Sequence, residues 1–358
     1  MAPTMPAEWA PHERTLMAWP CRRELWGAEL AAAKVQYAGV ANAVAAFEPV
    51  TMVVANAADA EEARVTLTEA VDVVELAIDD SWLRDSGPIF TLDPDSGARA
   101  AVQFGFNAWG ERFHPFAADA DLATRLCAHL GEPVERSPLV LEGGSIAVDG
   151  AGLLVTTEQC LLHPTRNPER SRSEIEEELR ARLGVRDVVW LGLGLLEDRD
   201  TDGHVDLVAA FTAPGELLLL TVDEWDPNHD AMEENRLRAE AAGIAVTTFP
   251  LLPRLAVGDE EIVASYLNFY VGADFVVVPT TGLPEDAEAL ERIAAAYPAQ
   301  EVVGVRGEVI AFGGGGPHCI TQQVPRAGRD GGLGRSGRLP GHPPRARRRR
   351  LRAAPVPP

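Results

Sequence analysis

The sequence predicts an α/β protein built as a ring of ββαβ modules around a central site. Three observations lead there. Apolar runs of strand character and helical segments follow one another in the order strand, strand, helix, strand. That order recurs about five times, in units of roughly 60–70 residues with no clear sequence identity between them. Hairpins mixed with single helices also depart from the strict alternation of a doubly wound parallel sheet.

The first unit has a short strand at Thr15–Trp19, an alanine-rich helix over Ala28–Phe47 with apolar spacing near 3.6, and a buried-type strand at Val50–Val54. A short acidic helix and the strand Val71–Leu76 complete it. The second has strands at Ile89–Leu92 and Ala100–Phe104, a helix over Asp119–Leu130 and a strand around Val134. The third has strands at Ser145–Val148 and Leu153–Thr156, a charged helix over Pro168–Leu183 and the strand Val185–Leu191. The fourth runs Val205–Phe211, Leu217–Val222, a helix over Asn228–Ala242, then Ile244–Phe249. The last has strands at Ser265–Val271 and Phe275–Val278, a helix over Pro284–Tyr297 and the strand Glu301–Val305.

The chain's 358 residues, 46% of them hydrophobic, suffice for a large core. No apolar run is long enough to span a bilayer, and the first twenty residues lack the charged and apolar regions of a secretory leader. Cys21, Cys127, Cys160 and Cys319 lie far apart with no Cys-x-x-Cys pair, which fits a reducing cytoplasm better than a zinc ribbon or a disulfide framework. The formal charge is −22, but ten arginines and one aspartate from Pro325 onward leave residues 1–324 at −31. Such an acidic body disfavours nucleic acid and attracts small cations, besides keeping the protein soluble. Residues 325–358 are rich in Gly, Pro and Arg and have almost no apolar periodicity, which predicts a disordered tail. A shifted reading frame and a nucleic-acid-binding arm are the other readings of that segment.

Chemistry-bearing residues cluster beside glycines. Phe312–Gln323 carries four consecutive glycines followed by Pro317, His318 and Cys319, a backbone free to approach a ligand and deliver a thiol. Alone, Cys319 reads equally well as a small buried hydrophobe. Ser81–Pro88 places Asp85 in a turn, as a guanidinium or metal ligand or as a cap for backbone N–H groups. Glu142 stands before Gly143 and Gly144, where the backbone is able to pass close to a ligand or another chain segment. His204 and Asp206 open the expected strand Val205–Phe211, and in an extended strand they share one face. Trp82 and Trp109 lie in glycine-containing loops and serve either as walls for a cation or as core.

Together, one thiol, one histidine and three carboxylates suit a cationic, planar electrophile. Paired carboxylates grip guanidinium N–H groups, a thiolate attacks the central carbon, and a histidine protonates departing ammonia. Guanidinium is a poor electrophile, so the thiolate needs stabilising by an imidazolium or by the bound cation.

The set W-x-R-D (82–85), F-N-x-W-G (106–110), E-G-G-S (142–145), G-H-V-D (203–206) and G-G-G-x-H-C-I-T-Q-Q (314–323) resembles the agmatine deiminases. These form part of the Porphyromonas-type peptidylarginine deiminase family, within the guanidino-group-modifying (pentein) superfamily. The likeness runs in order from Met5 to about Gln323. It implies a five-bladed pseudo-symmetric α/β propeller with the site on its axis, formed by a single catalytic domain over residues 1–324. It also implies a hydrolase acting on the C–N bond of a linear amidine, in putrescine and polyamine biosynthesis, with agmatine as substrate and N-carbamoylputrescine and ammonia as products. Carried over by motif, Cys319 is the nucleophile, His204 the general acid and base, and Asp85 and Asp206 the guanidinium ligands. Glu142 orients His204, Trp82 and Trp109 line the channel, Asp200 anchors the distal amine, and Gly316 belongs to the substrate-contacting backbone. No metal or organic cofactor is called for, and neither a nucleic-acid nor a membrane partner. A homodimer is the expectation from the family.

Two departures stand out: Pro317 precedes His318 in the nucleophile motif, and the arginine-rich tail has no place in the family pattern. Within the superfamily, free-arginine or peptidylarginine deimination and amidino transfer use the same chemistry. Free arginine needs a cation for its α-carboxylate, and Arg84, Arg112 and Arg166 lie near the motifs. The readings of another class are a metal-dependent hydrolase using His204, Asp206, Glu142 and His163, and a non-catalytic polyamine-binding protein.

Overall fold

The computed structural model describes residues 3–328 and the backbone of Arg352–Ala353. Among the described residues, five mixed sheets of three or four strands share one construction, and one further hairpin stands apart. In each, an antiparallel pair is followed by a helix and a strand parallel to the second member of the pair. Ile89–Leu92, Arg99–Gly105 and Val134–Val140 form one such sheet. Ile146–Val148, Leu153–Thr157 and Asp187–Leu191 form the next, and Ala209–Ala213, Glu216–Leu220 and Ala245–Phe249 a third. Tyr270–Val271, Phe275–Thr280 and Glu301–Arg306 form a fourth, with Arg352–Ala353 parallel at its edge.

The remaining sheet is built from both ends of the chain. Thr321–Pro325 pairs antiparallel with His12–Ala18, in the register Thr15 to Gln323, and Val50–Val54 and Val71–Glu75 follow in parallel. The C-terminal strand thus supplies the hairpin partner that the first unit lacks in sequence. Val50–Val54 lies between two neighbours and is buried throughout, which suits a strand that is apolar at every position but Thr51.

The helices obey local rules. Arg172–Leu183 starts at a Ser171–Glu174 capping box, buries Ile175, Leu179 and Leu183 on one stripe, and ends at Gly184 with φ +65°. The expected start at Pro168 therefore moves to the capped position. The expected helix over Asp119–Leu130 divides at Asp121, where φ −110° and ψ 5° interrupt it, into Ala117–Ala120 and Leu122–Leu130.

Three expected strands are shorter than read. Residues 143–145 form a 3₁₀ turn, so the strand starts only at Ile146. Val205–Leu207 is likewise a 3₁₀ turn, and the strand runs Ala209–Ala213. The shared-face argument for His204 and Asp206 therefore fails. Ser265–Val271 shrinks to Tyr270–Val271, because Ser265 turns its hydroxyl to the Leu207 carbonyl and Asn268 reaches the Asp206 carbonyl. The hairpin Arg254–Val257 with Glu260–Val263 was not anticipated. Of the tail expected to be disordered, residues 329–351 and 354–358 lie outside the described residues.

One regularity of the repeat locates the chemistry. The segment just before the first strand of each antiparallel pair is polar: Trp82–Gly87, Glu142–Ser145, His204–Asp206, Asn268 and His318–Cys319. Pseudo-equivalent positions in five units therefore deliver the polar groups to one place.

Candidate active site

Each motif is fixed by local constraints. Leu83–Ser86 makes one helical turn, closed by Gly87 N–H on the Leu83 carbonyl. Arg84 ties this turn to the His318–Cys319 segment. Its N–H donates to the Cys319 carbonyl at 3.2 Å, its Nε to the His318 carbonyl at 3.1 Å and its Nη1 to Gln323 at 2.9 Å. Ala108, Trp109, Gly110 and Glu111 all have positive φ, a run that side chains disfavour. Asn107 sustains it by accepting the Gly110 N–H and donating to the Thr165 carbonyl. The outcome is that Trp109 Nε1 donates to Asp85 Oδ2 at 3.0 Å.

Gly144 donates its N–H to Asp85 Oδ1 at 2.9 Å. A Cβ there would sit 2.6 Å from His204 Nδ1, 2.9 Å from Asp206 Oδ2 and 3.1 Å from Asp85 Oδ1. The space beside this glycine is thus the junction of three functional groups. The loop before His204 is organised by Asp198, whose carboxylate accepts the N–H groups of Thr201, Gly203 and His204. At Gly315 a Cβ would lie 2.8 Å from both Cys319 Sγ and the Trp82 ring.

All five residues expected to be catalytic are buried and gather together. Cys319 Sγ lies 3.3 Å from Asp206 Oδ2. His204 places Nδ1 3.9 Å from Asp85 and Nε2 3.8 Å from Glu142. Glu142 Oε1 accepts from Arg166 Nε at 2.7 Å, and Arg166 also reaches Asp202 at 3.0 Å. Buried atoms without a hydrogen-bond partner include Glu142 Oε2, His204 Nε2 and Asp206 Oδ1. Such atoms are costly unless a ligand or water satisfies them.

Burial pushes the Asp85 carboxyl up to about 6, with Asp206 and Glu142 adding to the effect and His204 opposing it. Burial would also raise Asp206, but His318, His204 and Cys319 outweigh it and hold its pKa below the usual carboxylate value. Glu142 is likewise lowered against burial by His204 and Arg166. Burial disfavours charge on His204, yet Asp85, Cys160 and Glu142 hold its pKa well above that of a free imidazole. Burial, Asp206 and Asp85 all drive the Cys319 thiol well above its ordinary value.

A pocket of about 330 Å³ opens onto Cys319. Its lining includes Trp82, Asp85, Trp109, Asp200 and Gly314, but no Arg, Lys or His. Trp82 stacks on Trp26 with centroids 5.8 Å apart, and Trp109 stands edge-on to Phe113. Gly316 does not line this pocket; it packs against Asn268 instead, whose Oδ1 lies 2.7 Å from where a Cβ at Gly316 would sit.

The three arginines near the motifs have other partners. Arg84 binds the His318–Cys319 segment, Arg166 binds Glu142 and Asp202, and Arg112 pairs with Asp202 at 2.6 Å. His163 lies beside Thr165 and Asp202 rather than with His204 and Asp206. Among the described residues, the group whose donor atoms lie within metal-ligand reach of one another is Glu142, Cys160 and His204.

Sequence reading missed the Arg166–Asp202 support, Glu8, and Asn268, whose Oδ1 accepts the Cys319 N–H at 3.3 Å. The repeat itself marks Asn268, since it stands just before the fourth sheet's first strand.

A family model described as Porphyromonas-type peptidyl-arginine deiminase matches residues 4–325. The agmatine deiminase of Pseudomonas aeruginosa (strain LESB58) is 40% identical over 353 residues, spanning 90% of this chain and 95% of that protein. The agmatine deiminase of Stutzerimonas stutzeri (strain A1501) is 39% identical over 352 residues, with the same shares covered. Among solved structures, the agmatine deiminase of Enterococcus faecalis has a TM-score of 0.86 at 32% identity, covering 91% of this chain and 96% of that one. A substrate-bound agmatine deiminase from C. jejuni has a TM-score of 0.85 at 25% identity, covering 92% and 98%.

Proposed function

The chain belongs to the Porphyromonas-type peptidyl-arginine deiminase family, and on that premise we propose that it hydrolyses agmatine to N-carbamoylputrescine and ammonia, a step in putrescine synthesis from arginine. The observation that carries this reading is the junction beside Gly144, where Asp85, Asp206 and His204 Nδ1 converge within reach of Cys319. Two carboxylates meeting there match the N–H edges of a guanidinium.

Asp85 and Asp206 hold the guanidinium with its central carbon facing the Cys319 sulfur. With the cation bound, the Cys319 thiol gives up its proton to solvent, and the thiolate attacks that carbon, forming the C–S bond as one C–N π pair moves onto nitrogen to give a neutral tetrahedral adduct. His204, protonated at rest and presenting Nδ1 to the junction, gives its proton to one terminal nitrogen. The C–N bond breaks, ammonia leaves, and an amidino thioether remains on Cys319. His204, now neutral, takes a proton from water as the water oxygen adds to the same carbon. The C–S bond then breaks, releasing the ureido product and the thiol. Glu142, fixed from behind by Arg166, holds the imidazole from its Nε2 side.

The pocket favours agmatine over arginine. An α-carboxylate would need a cation that the lining lacks, whereas Asp200 suits a distal ammonium and Trp82 and Trp109 suit the methylenes between. The five like-built sheets are read as blades of a five-bladed propeller, with these groups on its axis and residues 1–324 as one domain. The same reading makes the enzyme a cytoplasmic homodimer, which light scattering on the purified chain tests.

The deciding experiment is intact-protein mass spectrometry after brief incubation with agmatine or arginine, with ammonia release followed in parallel. An amidino adduct with agmatine, lost in Cys319→Ala, is expected. Preferential turnover of arginine, or ammonia release that survives Cys319→Ala, would overturn the proposal.

A further inference from the structure

Asp206 uses its two oxygens very differently. Oδ2 meets His318 Nδ1 at 2.8 Å and Cys319 Sγ at 3.3 Å, while the buried Oδ1 has no partner. The other nitrogen of His318, Nε2, lies 2.6 Å from Glu8 Oε1, and that oxygen is 3.3 Å from Arg84 Nη1. The His318 N–H donates to the Asn268 carbonyl, which fixes the histidine's backbone as well. A chain of alternating charge therefore runs Arg84, Glu8, His318, Asp206 and ends at the nucleophile.

These groups also face a second cavity of about 510 Å³, lined by Glu8, Trp9, Arg84, Asp206 and His318 among others. It shares no lining residue with the tryptophan pocket. Asp85 and Cys319 line the tryptophan pocket while Asp206 and His318 line this second cavity, so Asp206 stands between His318 and the nucleophile that its Oδ2 meets. A lone carboxylate rotates readily about its last bond, so one firmly occupied oxygen decides where the other points. Burial and Arg84 oppose charge on His318, yet Glu8 and Asp206 outweigh them and raise its pKa, which favours donors on both ring nitrogens.

We propose that His318, braced by Glu8, is a positioning residue that clamps Oδ2 of Asp206 and so aims the unpartnered Oδ1 at the guanidinium N–H groups of the substrate. This rests on the guanidinium-hydrolase reading above. The mechanism assigns His318 no proton and no contact with substrate.

Two replacements separate the ring's contacts. An asparagine amide nitrogen falls near the Nδ1 position and keeps the donor to Asp206. A glutamine nitrogen falls near Nε2 and keeps only the reach to Glu8. Agmatine Kd is measured by calorimetry in the Cys319→Ser background, and KM and kcat in enzymes retaining Cys319. His318→Gln is expected to raise Kd and KM roughly 10- to 100-fold while kcat falls less than about fivefold, the pattern of lost binding. His318→Asn is expected to recover to within about fivefold of the parent, and Glu8→Ala to weaken binding about three- to tenfold.

Equal effects of the asparagine and glutamine variants would overturn the proposal. So would an unchanged Kd in a folded His318→Gln protein. If His318→Gln does not fold, Glu8→Ala decides, and an unchanged Kd there overturns the proposal. Failure of the parent itself to bind or turn over agmatine would instead overturn the functional reading, and this inference with it.

Discussion

Asp85→Asn is the sharpest perturbation of the site, because it removes a charge while keeping the shape. Asp85 receives Trp109 Nε1 at 3.0 Å and the Gly144 N–H at 2.9 Å, one on each oxygen. Asparagine offers one acceptor and turns an N–H₂ group toward the other donor, which costs about 1–3 kcal/mol. Against that stands the cost of the buried carboxylate. Its pKa is raised to about 6, so the stability tied to its protonated form is complete below the unfolded value and is lost as pH rises through 6. A shift of that size is worth roughly 3 kcal/mol above neutrality, which removing the charge restores. The two effects nearly cancel, and the midpoint of thermal unfolding at pH 8 is expected to move by no more than about 4 °C.

Activity does not cancel. Two charge-assisted bonds to guanidinium at about 1.5–3 kcal/mol each predict a loss of roughly 10²- to 10⁴-fold in kcat/KM. Ammonia release over a range of agmatine concentrations measures this. A folded Asp85→Asn enzyme within tenfold of wild type would refute the assignment of Asp85 to guanidinium binding.

Three further outcomes follow from the same geometry. In the Cys319→Ser background, agmatine Kd should rise as pH falls below about 6, approaching tenfold per unit, because a protonated Asp85 accepts less and the proton competes with substrate. Calorimetry that finds a flat Kd across that range would remove Asp85 from the binding step. Gly144→Ala drives a Cβ to 2.6 Å from His204 Nδ1. Its kcat/KM should fall by roughly 10²-fold or more, with about 1–3 kcal/mol of stability lost in urea denaturation. Arg166→Met leaves Glu142 buried without its cation, and chemical denaturation should show a loss of about 3–5 kcal/mol. A loss under 1 kcal/mol would mean that Glu142 takes up a proton at little cost.

Most of the candidate site was legible because it sits in short, glycine-framed motifs whose residue types have few other uses. Cys319 after four glycines and Glu142 before two are readable since a close backbone approach demands glycine, as the contacts at Gly144 and Gly315 show. The conformations were less legible. His204 and Asp206 were expected on one face of a strand, yet a 3₁₀ turn joins them and they converge from different directions. Local spacing does not encode that turn, which Asp198 builds from six residues away through the His204 N–H.

Groups contributed by distant segments were the least legible. Glu8 lies 310 positions from His318, and the strand Thr321–Pro325 finds its antiparallel partner at the other end of the chain. Such pairings join the two ends of the chain, and they leave no mark on any single window of sequence. Asn268 is intermediate: nothing in its own neighbourhood singles it out, but its place two residues before Tyr270–Val271 matches that of Cys319 before Thr321–Pro325.

On the proposed mechanism, the geometry also narrows the source of the thiolate. Two cations were candidates for stabilising it, an imidazolium or the bound substrate. The His204 ring is flanked by carboxylates on both sides, at 3.9 Å and 3.8 Å, and its charge is spent on them. Burial, Asp206 at 3.3 Å and Asp85 all raise the thiol's pKa, which favours the protonated thiol in the empty site. A guanidinium lodged between Asp85 and Asp206 reverses that sign. A unit charge about 4 Å away at an effective dielectric constant near 20 contributes about 4 kcal/mol, or roughly three units of thiol pKa. The resting thiol is then a poor target for oxidants, which attack thiolates. A ligand without a cation at that position cannot create the nucleophile, however well it fills the tryptophan pocket. On the proposed mechanism, the carboxylates that join burial in opposing charge on Cys319 are thus the same groups that select the molecule able to activate it.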